Sequence, residues 1–237
     1  MRIDICLSPA LYPYYRQKND TVVVVDIFRA TTTMCMMLKN GASAVIPVAT
    51  VEEAQSYKEE GFLVGGERNA RKIDFADFGN SPFDYSRQIV KDKEVVFTTT
   101  NGTQAINAAK ESAKLFIGAF SNIETLAEQC LKAGNRVVAL CSGWKNKINI
   151  EDTLFAGALA ERLSEKAEIT FDSDSVSMAL RLWKSAEADP IEFVRSSDHY
   201  KRLVDNGAET DIPYCFEMNT APVVPTYDKE VGKLKAD

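Results

Sequence analysis

Short apolar runs alternate with segments of helical periodicity along most of the chain. The run TVVVV at residues 21–25 is too short for a buried helix, which predicts a central strand buried on both faces. A helix follows over residues 30–40 and is closed by Gly41, and SAVIPV supplies the next strand. Thr50 and Glu53 then form a capping box that opens a second helix. The pattern predicts a strand-helix-strand-helix unit.

The same order recurs later, with EVVFTT and AKLFIGAF as strands around a helix in GTQAINAA. Ser121 and Glu124 form a second capping box, whose helix ends at Gly134 much as the earlier helix ends at Gly61. We interpret the similarity as a degenerate internal duplication. The alternative is that any α/β chain reuses the same caps.

The last third of the chain is predicted to be mainly helical. RVVALC is a third strand before a helix in TLFAGALAERL, Asp189 and Pro190 open a later helix, and Gly207 ends another. The segment DIPYCFEM is predicted to be extended and to return to the sheet. These elements predict a layered α/β/α fold with a mixed, largely parallel sheet.

No linker or composition break divides the chain, so residues 1–237 are predicted to form a single compact unit. If the duplication is real, two similar lobes would cover about residues 1–90 plus the C-terminal tail and about residues 91–205.

The net charge of −6 and the absence of a basic stripe argue against nucleic-acid or membrane-surface partners. No segment reaches the roughly 18 apolar residues of a membrane span, and the N-terminus does not resemble a signal peptide. We expect a cytoplasmic protein, with a homo-oligomer as the default assembly. The five cysteines are scattered without a C-x-x-C pair, which predicts reduced, buried thiols.

Polar residues are concentrated where predicted strands end. Residues 26–33, 98–103 and 141–152 each follow a strand and open a helix, and residues 65–85 follow a further short strand. Because ligands of open parallel sheets bind at the carboxyl ends of the strands, these segments are predicted to converge on one cleft.

The threonine-rich turns and Arg29 predict an oxyanion site, since backbone amides, hydroxyls and a guanidinium fork all suit phosphate or sulfonate. The simpler alternative is that the threonines only cap helices. Asp26 ends a run of valines, where it is either a helix cap or a ligand of a hard cation together with Glu67, Asp152 and Glu151. Magnesium is the cation that scattered carboxylates favour.

Three other features receive structural interpretations. His199, the single histidine, is predicted to be a surface or capping residue. Asp172 resembles a dehalogenase nucleophile, but Asp172 or Ser173 is better explained as the cap of the following helix. Cys141 is interpreted as an inert thiol, because its loop lacks the glycines and arginine of a cysteine phosphatase.

Five blocks occur in one order: VVVVDIFRATTT, GGERN with DFADFGNSP, FTTTNGTQA, CSGW with EDTLFAGAL, and NGAETDIPYCFEMNTAPVVP. Together they resemble the 2-phosphosulfolactate phosphatase (ComB) family along nearly the whole chain. The resemblance implies magnesium-dependent hydrolysis of 2-phospho-3-sulfolactate to 3-sulfolactate and phosphate, a step toward coenzyme M. Asn69-Ala70-Arg71 and Ala76 depart from the family's glycine-rich pattern.

For this activity we expect Asp26, Glu67 and Asp152 to hold Mg²⁺, Glu151 to act as general base, and Arg29 and Asp26 to act in catalysis. A covalent phosphate on Asp26 stays open. The candidate contacts to the small anionic substrate are Arg29, Thr31, Thr32, Arg68, Thr99, Thr100, Asn101, Gly102, Thr103, Ser142 and Gly143.

Three alternatives also stay open. The chain could be a non-catalytic binder of phosphorylated or sulfonated acids, or a phosphatase of a different phosphorylated acid. It could also be a dehalogenase-type phosphotransferase that depends on Asp172.

Overall fold

A computed structural model of the chain describes residues 1–236. Its strands are β1 (Arg2–Cys6), β2 (Thr21–Val25), β3 (Ala44–Pro47), β4 (Leu63–Arg68), β5 (Arg71–Lys72), β6 (Glu94–Thr98), β7 (Lys114–Gly118), β8 (Val137–Cys141), β9 (Thr170–Phe171), β10 (Pro225–Asp228) and β11 (Lys233–Ala236). They form one sheet of 11 strands in the order β5-β4-β6-β3-β11-β10-β7-β2-β8-β1-β9.

The helices are α1 (Tyr12–Tyr15), α2 (Ala30–Lys39), α3 (Val51–Glu59), α4 (Arg87–Val90), α5 (Gly102–Ala109), α6 (Ile123–Ala133), α7 (Ile150–Lys166), α8 (Asp174–Ala186), α9 (Pro190–Val194), α10 (Asp198–Asp205) and α11 (Ile212–Phe216). Short 3₁₀ turns occupy Pro9–Leu11, Pro82–Asp84, Phe120–Asn122 and Glu209–Asp211. Within residues 1–236, no helix is both long and apolar enough to cross a membrane.

The valine strand β2 lies inside the sheet, parallel to β7 on one side and β8 on the other. Val23 and Val25 pack into one hydrophobic core, and Val22 and Val24 pack into the core on the opposite face. Successive side chains of a strand point to opposite faces, so a strand covered by helices on both sides must be apolar throughout. The predicted α/β layering with a largely parallel sheet is confirmed. The lobes and the duplication stay predictions.

The C-terminal segment differs from the prediction. Residues 211–216 of DIPYCFEM are not extended but form the end of a 3₁₀ turn and the helix α11. A proline in the first helical turn favours a helix start. The strands that return to the sheet come later. β10 and β11 form an antiparallel hairpin inserted between β7 and β3.

The local caps are mostly as predicted. Thr50 and Glu53 make both bonds of a capping box, and Gly134 ends α6 in the left-handed conformation. The prediction of a second capping box is wrong. The Ser121 hydroxyl is buried without a hydrogen-bond partner in residues 1–236, and the Glu124 N–H donates to Asn219 instead. The turn Phe120–Asn122 moves the start of α6 past Ser121.

The five cysteines are all free and buried, as predicted. Burial raises the pKa of Cys6 to about 11 and the pKa values of Cys35 and Cys130 to about 12. These thiols are therefore protonated and unreactive at neutral pH.

Candidate active site

The candidate site lies at the carboxyl ends of the parallel strands. Asp26 follows β2, Glu67 lies near the end of β4, Asn101 follows β6 and Trp144 follows β8. All four line one cavity of about 10 Å³, which has room for a single ion or water molecule. The predicted convergence of the four polar segments on one cleft is therefore confirmed.

The carboxylate of Asp26 is the free acidic group of this cavity. Its residue is only 4% exposed, yet no N–H or O–H group within residues 1–236 donates to its side chain. The bonds that shape the turn involve its backbone instead: its N–H donates to the Thr31 hydroxyl, and its carbonyl accepts from Thr31. Asp26 is therefore not a helix cap, and its oxygens are available to a ligand.

Gly102 brings the start of α5 against this carboxylate. A Cβ atom at residue 102 would lie 2.9 Å from Oδ2 of Asp26 and 2.8 Å from Cβ of Ala30. Such contacts are shorter than packed atoms allow, so only glycine permits the approach. The positive end of the helix dipole then favours negative charge beside it.

Glu67 faces the same cavity but is already held by the loops around it. Its Oε1 accepts from the Thr100 N–H at 2.7 Å, and its Oε2 accepts from the Ala70 N–H at 2.6 Å and from the Thr100 hydroxyl at 3.1 Å. These bonds fix the carboxylate in place. A carboxylate has about four acceptor positions, so one position on Glu67 is left for a ligand.

Asp152 lies behind the cavity rather than on its wall. It is fully buried in the first turn of α7, where Oδ1 accepts from the Ile27 N–H and Oδ2 from the Gly143 N–H, each at 2.9 Å. It thus ties the loop after β2 to the loop after β8. Burial raises the pKa of Asp152 well above its ordinary value, and the nearby charge of Glu151 raises it further. The backbone N–H donors act to lower this pKa.

The site has an excess of negative charge. Burial raises the pKa of Asp26 well above its ordinary value, and the carboxylates of Asp152, Glu67 and Glu151 raise it further, while Arg29 acts to lower it. A bound cation would correct this imbalance. Within residues 1–236, no three acidic, histidine or cysteine side chains stand in a preformed metal-binding group. A cation here would rely on one or two carboxylates and water, which is how proteins bind Mg²⁺.

Arg29 supplies the positive charge at the cavity wall. Its Nη1 donates to Asp211 at 3.2 Å and its Nη2 to the Ala70 carbonyl at 3.5 Å, whereas its Nε has no hydrogen-bond partner in the described part of the chain. The backbone of Arg29 has φ 107, which is strained for a residue other than glycine. Asp211, which also accepts from Ser81, therefore holds the guanidinium against the cavity.

Most of the threonine hydroxyls bind the protein itself. Thr31 and Thr32 are fully buried and donate to the carbonyls of Asp26 and Ile27. The hydroxyls of Thr99 and Thr103 accept from each other's backbone N–H. None of these four threonines lines the cavity. The structure thus supports their role in shaping the turns, and direct contact with substrate stays a prediction.

The other predicted contacts divide in the same way. Asn101 lines the cavity, and its Oδ1 accepts from the Lys145 N–H, which leaves its amide nitrogen for a ligand. Arg68 instead donates to backbone carbonyls and to the Thr98 hydroxyl. Ser142 is buried with an unpartnered hydroxyl.

His199 is buried, so its prediction as a surface or capping residue is wrong. It is 6% exposed, and its Nδ1 lies 2.6 Å from Oε1 of Glu151 and 3.3 Å from Nδ2 of Asn149. The ring also packs edge-on against Phe28. Glu151, predicted as the general base, therefore reaches the cavity through the imidazole and does not line it directly.

A larger pocket adjoins the small cavity. It has a volume of about 320 Å³ and lies between residues 144–151 and residues 196–202. His199 and Trp144 line both spaces and so form their common wall. A pocket of this size matches the lower end of small-molecule sites.

Asp172 is remote from this site in its contacts. It follows the edge strand β9 and binds Arg136 at 2.9 Å and Arg2 at 3.6 Å. Ser173 occupies the cap position of α8, as predicted. These ion pairs give Asp172 a structural role and do not support its prediction as a nucleophile.

The sequence pattern of the 2-phosphosulpholactate phosphatase family matches residues 6–230. The chain belongs to this family. It is therefore a phosphoric monoester hydrolase, and the predicted family and enzyme class are confirmed. Within this family member, the site at Asp26 is the cleft that brings together residues from four of the five matching blocks.

Individual relatives agree over nearly full length. A probable 2-phosphosulfolactate phosphatase of Thermotoga petrophila is 39% identical over 233 residues, covering 98% of both chains. A probable 2-phosphosulfolactate phosphatase of Clostridium novyi is 35% identical, covering 96% of this chain and 97% of the relative. Another, of Pseudothermotoga lettingae, is 40% identical, covering 86% of this chain and 88% of the relative.

Sequence reasoning missed several residues of the candidate site. Trp144 and Asn80 line the cavity, His199 closes it, Asp211 holds Arg29, and Arg202 lines the adjoining pocket. Trp144, Asn80 and Asp211 carried a usable signal, because each stands within one of the family-like blocks. His199 and Arg202 come from a segment without a recognisable motif.

Proposed function

We propose that the protein is a magnesium-dependent phosphatase that converts 2-phospho-3-sulfolactate and water to 3-sulfolactate and phosphate. The observation that carries the proposal is the unpartnered carboxylate of Asp26 beside Glu67, in a cavity sized for one ion. The relatives' names supply the substrate, a small anionic metabolite. In an organism that makes coenzyme M, the reaction would serve that biosynthesis in the cytoplasm.

The carboxylates fit Mg²⁺ by their chemistry, because a hard cation prefers oxygen ligands and keeps several waters. Asp26 and Glu67 would hold the ion, and Asp152 would keep their loops together through Ile27 and Gly143. Bound Mg²⁺ supplies charge stabilisation for the phosphoryl oxygens. A direct bond from Asp152 to the ion is the further possibility that the sequence suggests.

The surrounding residues supply donors and a proton route. Arg29 and Asn101 would donate to the phosphoryl oxygens through the Nε and amide groups that lack protein partners. Water attacks phosphorus, the bond to the ester oxygen breaks, and that oxygen takes up a proton. His199, whose Nδ1 lies 2.6 Å from Oε1 of Glu151, would move this proton.

Phosphate release is the measurement that tests this function. We expect turnover of 2-phospho-3-sulfolactate with Mg²⁺ and none with EDTA, in wild type and in Asp172→Ala, whereas Asp26→Ala should lose it. Asp172 is a suitable control, since its ion pairs lie away from the cavity. Turnover of other phosphorylated acids but not of this one would contradict the substrate. Binding without turnover of any would support the alternative of a non-catalytic binder.

A phosphate bound covalently to Asp26 is a separate mechanistic question. Rapid acid quenching during turnover would trap an acyl phosphate if Asp26 attacks phosphorus itself. Inversion of configuration at a phosphorus atom made chiral with oxygen isotopes supports direct attack by water, whereas retention supports two displacements through Asp26.

A further inference from the structure

Arg202, in the wall of the larger pocket, has no hydrogen-bond or ion-pair partner within residues 1–236. Its side chain is partly buried, and no hydrogen bond or ion pair from the described part of the chain reaches its guanidinium. Its Nε and Nη2 are also shielded from solvent, and neither has a hydrogen-bond acceptor within the described residues. Arg29 and Arg68, by contrast, both bond to protein groups. Buried donors without acceptors are costly, and a ligand is one explanation for them.

Trp144 holds this guanidinium in position. The Cζ atom of Arg202 lies 4.0 Å from the centre of the indole ring, a stacking arrangement that leaves the N–H groups at the edge of the guanidinium plane. Stacking thus orients a fork of donors without using any of them. The indole serves as a platform for a charged group.

The loop around Trp144 is built as a tight turn. The backbone of Trp144 exchanges two 2.9 Å hydrogen bonds with Lys147, and the two residues between them, Lys145 and Asn146, have φ values of 48 and 66. Such turns favour glycine and asparagine, so the conformation of Lys145 is costly. The turn also brings Lys147 to the same pocket as a second cation.

The small cavity cannot hold the whole substrate. About 10 Å³ beside Asp26 accommodates an ion or a water, while about 320 Å³ lies on the other side of His199 and Trp144. The larger pocket is therefore the adjoining space with room for the carbon skeleton of the proposed substrate. Glu151 and Asp198 also line it, and both carboxylates act on the Arg202 guanidinium, so the pocket carries charges of both signs.

We propose that the larger pocket is the subsite for an acidic group that is not transferred, a sulfonate or a carboxylate, and that Arg202 is the residue that selects for it. The proposal rests on the proposed phosphatase function and specifies how this site chooses among phosphate monoesters. A guanidinium held in a fixed plane binds planar or tetrahedral oxyanions through two donors at once.

Three substrates with one skeleton test the proposal: 2-phospho-3-sulfolactate, 2-phospholactate, which lacks the sulfonate, and isopropyl phosphate, which lacks both acids. We expect Arg202→Gln to lower kcat/KM about 10- to 100-fold for the substrate whose acid it binds, mainly through KM. Isopropyl phosphate should be unaffected, and Arg202→Lys should lose less than Arg202→Gln. In Arg202→Gln, removal of one of the two acids from the substrate should no longer lower kcat/KM. That acid is the group that Arg202 binds.

Lys201→Gln is the matched control, because Lys201 is an exposed cation on the same helix and does not line the pocket. It should behave as wild type. Equal loss in Arg202→Gln for all three substrates, or no loss for any, would overturn the proposal while leaving the phosphatase function standing.

Binding of 3-sulfolactate without metal gives a readout that is independent of turnover. Calorimetry should show a dissociation constant about 10- to 100-fold higher for Arg202→Gln than for wild type or Lys201→Gln. If wild type has no phosphatase activity but this difference persists, the proposed function fails and the acid subsite stands. If wild type binds no 3-sulfolactate and hydrolyses none of the esters, both fail.

Discussion

Nδ1 of His199 lies 2.6 Å from Oε1 of Glu151, although the two residues are 48 positions apart. Glu151 is fully buried and its Oε2 has no partner, so the imidazole is its main polar contact. A carboxylate that binds one ring nitrogen fixes the orientation of the ring and leaves the other nitrogen to act.

Substitution of His199 should affect catalysis more than folding. We expect His199→Asn to lower kcat by about 10²- to 10³-fold with little change in KM, because an asparagine amide can replace Nδ1 toward Glu151 but cannot reach the cavity as Nε2 does. Steady-state kinetics and urea unfolding of the same variant separate the two effects. The double variant with Glu151→Gln should be hardly slower than either single variant, since the two residues act as a unit. Fully additive losses would contradict this.

Substitution of Gly102 should displace the carboxylate of Asp26. Gly102→Ala places a methyl group 2.9 Å from Oδ2 of Asp26 and 2.8 Å from Cβ of Ala30, so we expect activity to fall at least tenfold and stability by about 1–3 kcal/mol. Gly134→Ala is the control, because its φ of 69 strains alanine but no atom lies within 4 Å of the new methyl group. It should lose stability and keep full activity. Equal activities of the two variants would show that Gly102 is not needed for the site.

Removal of Asp211 should leave the Arg29 charge buried without its partner. The two side chains are 4% and 7% exposed, and breaking such a buried pair from one side typically costs about 3–5 kcal/mol. We therefore expect Asp211→Ala to lower the free energy of unfolding by about that amount, measured by urea denaturation. Glu209→Ala, an exposed acidic residue in the same turn, should change it little. A small effect of Asp211→Ala would mean that Arg29 finds another acceptor.

Asp77 should make stability depend on pH. Burial acts to raise its pKa, but the Lys58 ammonium at 2.5 Å and the Val64 N–H at 2.9 Å outweigh burial, so the pKa of Asp77 is held below its ordinary value. A carboxyl with a lowered pKa in the folded state stabilises the fold at neutral pH, and this contribution is lost as pH falls below about 4.

The matching variant is Asp77→Asn. We expect it to be about 1 kcal/mol less stable than wild type at pH 7, a value reduced by partial exposure, and to approach wild type at pH 3. Asp74→Asn, at an exposed position three residues earlier, should show no such trend. Denaturation curves at both pH values measure the difference. A gap that widens toward pH 3 would contradict the sign of the pKa shift.

Local chemistry made much of the fold predictable. The valine run of β2, the capping box of Thr50 and Glu53, and the left-handed Gly134 all depend on residues within one or two turns of each other. The wrong or missed predictions concern residues whose contacts come from distant parts of the chain. Asp211 belongs to a turn whose carboxylate binds Arg29, 182 positions away, and Ser121 lost its capping role to a turn held by the C-terminal segment.

The sequence by itself determined the layered α/β fold and the family, because periodicity and motif order are properties of the chain. It also determined that Asp26, Glu67 and Asn101 lie at the ends of parallel strands. Only the tertiary structure decided which polar groups are free. Glu67 and Asp152 bind backbone N–H groups of other loops, whereas no group within residues 1–236 donates to the Asp26 carboxylate. Hydrogen-bond partners come from segments far apart in sequence, so spacing alone does not reveal which carboxylate remains for a ligand.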